Sequence, residues 1–124
     1  MDADMTTGFR ITPSPLGADG SVIAVGGEID LFTAPDLKAA IGESLEGGRA
    51  RVVVDLTDTT FLDSSGLGVL VGALQRLRDR GGALSIVSVD PSIARTFSIT
   101  GLDQILAIRE TRDEAVAALE TETA

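Results

Sequence analysis

The run Arg51-Val52-Val53-Val54-Asp55-Leu56 constrains this chain more than any other stretch. Three consecutive β-branched residues are stiff at χ1 and favour extended backbone. The run shows no alternation of apolar and polar positions, so it has no face to offer to water. Such a strand is covered on both sides, as in the interior of a parallel sheet. Parallel neighbours cannot be joined by a tight turn and need crossover connections, usually helices. This one segment therefore predicts a layered α/β protein with helices before and after it in sequence.

The rest of the chain supplies them. "GFRIT" points Phe9 and Ile11 inward and Arg10 outward, and "SVIAVGGEI" follows the turn-rich "PSPLGADG", which predicts an antiparallel hairpin. Thr33 stands before Ala34, Pro35 and Asp36 as an N-cap, and Leu37, Ala40, Ile41 and Leu45 share one face of a first helix that stops near "EGG". After the central strand and the short link "TDTTFL", a second helix of about four turns carries Leu67, Leu70, Val71, Leu74 and Leu77 and ends at "RGG". "ALSIVSV" is a further strand. Asp90 and Pro91 open a third helix with Ile93, Ala94 and Phe97, closed by Gly101. "ILAI" is a short last strand, and Thr111 with Glu114 forms a capping box for a helix through Ala115, Val116 and Leu119.

The order β-β-α-β-α-β-α-β-α predicts a mixed, mostly parallel sheet of four to five strands flanked by four helices. The 124 residues suit one domain, expected over residues 8–120, with a frayed segment 1–7 and a short tail 121–124. The opening "MDADMTTGFR" lacks the basic and apolar regions of a signal peptide, and no apolar run approaches the ~20 residues of a membrane span. A cytoplasmic protein without a membrane partner is expected.

Composition closes most catalytic routes. The chain has no Cys, His, Trp or Tyr, which removes thiol nucleophiles, histidine bases, Cys/His zinc sites and indole or phenol stacking platforms. Nineteen acidic residues against ten basic ones give a net charge of −9, which disfavours nucleic acid as a partner. Lys38 is the single lysine. No G-x-S-x-G or G-x-x-x-x-G-K-[ST] pattern occurs, and nothing in the sequence calls for a cofactor. Asp55, Asp58 and Asp63 could be imagined as a magnesium site, but their spacing lends it little support.

One stretch exceeds what stability asks for. "DSSGLG", residues 63–68, puts two hydroxyls and two glycines at the start of the second helix. One Ser, at 64 or 65, serves as an N-cap; the second is left over, and each glycine weakens the helix by about 1 kcal/mol relative to alanine. Gly66 and Gly68 read either as close contacts with the preceding strand or as bare backbone for an approaching protein. Loops after strand C-termini are where open α/β sheets meet ligands and partners, and Ser64 lies in one. A phosphate there would add about −1.5 to −2 charge at a helix N-terminus whose unpaired N–H groups tolerate an anion. With Asp63 adjacent and Asp30 expected at the neighbouring strand end, the added charge would expel a docked partner.

These residues carry a family resemblance. "FLDSSGLGVLVG", "GGEIDLFTAPDL" and "GGALSIVSVDPSIARTFSITGLDQIL", in this order, resemble the STAS-domain anti-sigma factor antagonists, over nearly all of residues 8–120. The resemblance implies a switch protein that is not an enzyme. Its phosphorylated serine corresponds to Ser64, and Asp30 corresponds to the acid beside it. It implies an anti-sigma factor serine kinase as partner, bound by the unphosphorylated form so that a sigma factor is freed for transcription, and a metal-dependent serine phosphatase that resets the switch. Asp30 and Asp63 are expected to shape the surroundings of the serine, with Ser65, Gly66, Leu67 and Gly68 at the contact. Two alternatives stand beside this reading: a STAS interaction module for another partner, such as a transporter ATPase or a stress-signalling assembly, and a small magnesium enzyme. Sequence leaves the oligomeric state open.

Overall fold

The computed structural model describes residues 8–122. Strands β1 (Arg10–Leu16), β2 (Gly20–Ile29), β3 (Arg51–Leu62), β4 (Ala83–Val87) and β5 (Ala107–Arg109) form one sheet in sequence order. β1 and β2 are antiparallel, and the other pairs are parallel. Helices α1 (Ala34–Glu46), α2 (Ser64–Asp79) and α3 (Pro91–Thr100) cross between successive parallel strands, and α4 (Arg112–Glu122) follows the last. The sheet grows in one direction from β2 to β5, so right-handed crossovers place α1, α2 and α3 on the same face.

Both faces of the central strand are covered. Val52, Val54 and Leu56 pack in a core with Leu37 and Ile41 of α1, Leu70, Leu74 and Leu77 of α2, and Ile93 and Phe97 of α3. Val53 points the other way, into a smaller core with Val22, Val87, and Ala115 and Leu119 of α4. Two helix layers, one per face, are the physical reason Val52, Val53 and Val54 need no polar residue between them. The segment expected to be frayed, residues 1–7, lies outside the described residues.

Several boundaries differ from expectation, each for a local reason. The "PSPL" of the presumed loop belongs to β1, and the turn is only residues 17–19, with Gly17 at φ 62°. Prolines 13 and 15 are tolerated because β1 is an edge strand. The link "TDTTFL" is strand: β3 stays paired with β2 to Leu62, through two register shifts, although its pairing with β4 stops at Asp55. Val71 is half-buried, and the second-helix core face is completed by Ala73. Ile105 lies in a turn, so the last strand begins at Ala107. At α4 the Thr111 hydroxyl accepts the Glu114 N–H at 3.1 Å, but the Glu114 carboxylate reaches back to the Glu110 N–H, one residue earlier than a capping box requires.

Candidate functional site

Strand β2 and strand β3 end together. Ile29 is in register with Leu62, and the Asp63 N–H donates to the Ile29 carbonyl oxygen at 3.1 Å. The loops that leave these strands, toward α1 and toward α2, therefore start side by side, with Asp30 and Asp63 as their first residues. The expected neighbourhood of the two acids is present.

Each acid has a backbone task. Asp63, with extended φ/ψ, is the N-cap of α2: its Oδ1 accepts the N–H groups of Ser65 at 2.8 Å and Gly66 at 3.2 Å. The reading of Ser64 or Ser65 as cap is thus corrected. Among the described residues neither serine hydroxyl forms a hydrogen bond, Ser64 is exposed and Ser65 half-buried. The expectation that unpaired N–H groups await an anion changes too, because the carboxylate of Asp63 already occupies those of Ser65 and Gly66.

Asp30 organises the other loop. Its Oδ1 accepts the N–H groups of Phe32 at 2.9 Å and Thr33 at 3.1 Å, and its carbonyl oxygen accepts from Ala34. Thr33, read as the N-cap of α1, makes no cap bond to that helix. Its hydroxyl instead accepts the Asp30 N–H at 2.8 Å and donates to the Glu28 carbonyl at 2.8 Å, which ties the turn back onto β2. Asp30 thus holds the turn at 31–33 that leads into α1, while α1 itself begins at Thr33 without a side-chain cap bond.

The two glycines of "DSSGLG" part company. A Cβ on Gly66 would come within 2.7 Å of Ile29 Cγ2 and would collide with Leu62 Cδ1. Gly66 is therefore a packing glycine, buried with Leu67, which is also in the core. Gly68 is exposed, and a Cβ there meets nothing within 4 Å. Of the four residues expected at a contact, Ser65 and Gly68 reach the surface and Gly66 and Leu67 face inward.

Three large apolar side chains are exposed on the chain segments that carry the two acids. Leu31 is 68 % exposed, Phe32 86 % and Phe61 47 %, on the same two chain segments as Asp30 and Asp63. The sequence held a sign of them: Leu31 and Phe32 are consecutive apolar residues in a turn, and Phe61 alternates against inward Leu62. The three acids considered for magnesium are not brought together. Asp55 is buried and bound at Oδ2 by Arg112 Nε at 2.6 Å, Asp58 is exposed beside Arg10 at 3.7 Å, and Asp63 caps α2. No cluster of three potential metal ligands occurs among the described residues.

A mixed α/β sheet with an exposed serine at the start of its second helix, and exposed apolar side chains on the segments beside it in sequence, has the features of a protein-interaction domain. The STAS domain family model matches residues 12–115, and the chain belongs to that family. It is similar to the anti-sigma-B factor antagonist of Listeria monocytogenes, with 42 % identity over 94 residues, 74 % of this chain and 81 % of that protein. With the anti-sigma-B factor antagonist of Staphylococcus aureus it shares 35 % identity over 88 residues, 71 % of this chain and 82 % of the relative. The crystal structure of an anti-sigma factor antagonist from Mycobacterium paratuberculosis superposes with a TM-score of 0.82 at 31 % identity, covering 92 % of this chain and 96 % of that one. Among the described residues no helix is long and apolar enough to cross a membrane.

Proposed function

We propose that this protein is an anti-sigma factor antagonist which, unphosphorylated, binds a kinase-type anti-sigma factor and so frees a sigma factor, and that phosphorylation of Ser64 switches it off. It works as a cytoplasmic, non-catalytic partner, and a metal-dependent serine phosphatase restores it. The observation that carries this reading is the Ser64 hydroxyl itself: exposed, relieved of capping by Asp63, and placed at the first position of α2. The antagonist names of its relatives support the same class.

The switch works through charge. Leu31 and Phe32, in the turn held by Asp30, and Phe61, at the end of β3 just before Asp63, provide apolar anchors. A phosphate on Ser64 sits beside the Asp63 carboxylate, which already uses the nearest helix N–H donors. It must therefore keep its water, and a partner that covers it buries an uncompensated charge; a tenfold loss of affinity takes only about 1.4 kcal/mol, and breaking or stranding a buried charge costs more.

Incubation with ATP, Mg²⁺ and each kinase-type anti-sigma factor of the same genome, followed by peptide mass spectrometry, tests the reading. One phosphoryl group on Ser64, absent in Ser64→Ala, and release of the complex on modification are expected. No binding or modification by any such kinase overturns it.

A further inference from the structure

Gly68 and Gly72 lie one turn apart on α2, and neither is required by the backbone or by packing. Neither has a positive φ, and a Cβ on either meets nothing within 4 Å. Glycine inside a helix weakens it relative to alanine. The missing side chains leave one wall of a cavity of about 440 Å³, lined also by Ser65, Val69 and Arg76 of α2 and by Lys38 of α1. At its far side the Arg76 guanidinium lies across α1, so that a Cβ on Gly42 would stand 3.3 Å from Nη2.

Charge is an independent observation. The chain carries −9 overall, yet this cavity has no Asp or Glu in its lining and holds the single lysine and an arginine, which also border the adjoining depression on α1 where Glu43 and Glu46 lie. Among the described residues neither Lys38 nor Arg76 has an ion-pair or hydrogen-bond partner, and the half-buried Ser65 hydroxyl is also unbonded. Other arginines are engaged: Arg10 with Asp58, Arg112 with Asp55, and Arg49 with the carbonyls of Gly17 and Gly20.

We propose that the groove between α1 and α2 seats an acidic helix of the anti-sigma factor, an inference that rests on the function proposed above. Gly68 and Gly72 fall on one i, i+4 row, and an empty row of this kind accepts the side-chain ridge of another helix. Lys38 and Arg76 select carboxylates on that ridge by charge complementarity. The groove adjoins the phosphosite through Ser65, so a phosphate on Ser64 places negative charge at the end of an acidic docked helix. Repulsion at the switch then falls on the segment the groove recruits.

The test measures the affinity of the full chain for the kinase-type anti-sigma factor, at low and high salt, for wild type, the double variant Lys38→Glu with Arg76→Glu, and Gly72→Leu. Each variant is expected to bind about tenfold more weakly or worse, a loss typical of an interface anchor, with the salt dependence of this contact reversed in the double variant, where screening now relieves a repulsion. Melting temperatures at or above wild type show that the fold is intact. Full affinity in Gly72→Leu and in the double variant, with the wild-type complex formed, overturns the groove and leaves the proposed function standing. No wild-type complex overturns both. A wild-type dimer that Gly72→Leu abolishes assigns the groove to a second copy and overturns the proposal.

Discussion

The Asp63 N–H donates to the Ile29 carbonyl oxygen at 3.1 Å, and this bond is the hinge point of the site. It continues the pairing of β2 with β3 one step past Leu62, beyond the point where β4 has ended. Two chain segments that begin with acids binding backbone N–H groups, Asp30 in the turn before α1 and Asp63 as the N-cap of α2, are thereby held side by side, and Ser64 stands on the second.

Removing the α2 cap tests the division of labour between Asp63 and the serines. Asp63→Ala is expected to destabilise the domain by about 1 kcal/mol in denaturant unfolding, whereas Ser64→Ala and Ser65→Ala stay within about 0.5 kcal/mol of wild type. A larger loss in either serine variant than in Asp63→Ala contradicts the cap assignment.

The two glycines of the motif separate in sign. Gly66→Ala pushes a methyl group against Ile29 and Leu62. Leu62 can turn its terminal methyl aside, but Ile29 is branched at Cβ and buried, so a loss of about 1–3 kcal/mol is expected. Gly68→Ala meets open space and gains up to about 1 kcal/mol of helix stability. Chemical denaturation of the two single variants checks both.

Asp55 gives the fold an acid-sensitive contact. Burial raises its pKa, but the hydrogen bonds from the Thr57 hydroxyl and Arg112, then the Thr57 N–H and the charge of Arg112, outweigh it and hold the carboxyl below the usual aspartate range. A depressed folded-state value means that the stabilisation is present above the unfolded-state pKa and is lost as pH falls through the folded one. The stability advantage of wild type over Asp55→Asn is therefore expected to be constant near neutrality and to shrink below about pH 4. Arg112→Ala costs about 1–2 kcal/mol at pH 7, since half of that side chain is in water. An advantage that grows on acidification contradicts the assignment.

If Ser64 is phosphorylated as proposed, the change is expected to stay local. Amide chemical shifts are expected to move within residues 29–33 and 61–69 and to stay in place across β4, α3 and α4. Shifts spread over the whole sheet contradict a switch made of repulsion and desolvation alone.

Phe32 separates binding from stability. With its ring 86 % exposed, Phe32→Ala is expected to leave unfolding within about 0.5 kcal/mol of wild type and to weaken the anti-sigma factor complex about tenfold or more. Calorimetric titration beside thermal melts distinguishes the two.

The sequence by itself determined the architecture, because periodicity and caps are local. Val52 to Val54 announced a strand buried on both faces, Asp90 with Pro91 and Gly101 bounded α3, and "DSSGLG" marked Ser64 as a residue to explain. Only the tertiary structure decided which side chains bind the first N–H groups, because a cap depends on the exact φ/ψ at a chain reversal; the Asp63 carboxylate, not the hydroxyl of Ser64 or Ser65, caps α2, and the Asp30 carboxylate holds the turn before α1 where Thr33 makes no cap bond. It likewise decided that Gly66 packs and Gly68 is free, since that turns on Ile29, which lies far away in the chain and meets Gly66 only when β2 and β3 pair. The same pairing carried "TDTTFL" into the sheet against its turn-like composition. Local chemistry sets elements and their ends; which surfaces face water is settled by contacts between residues distant in sequence.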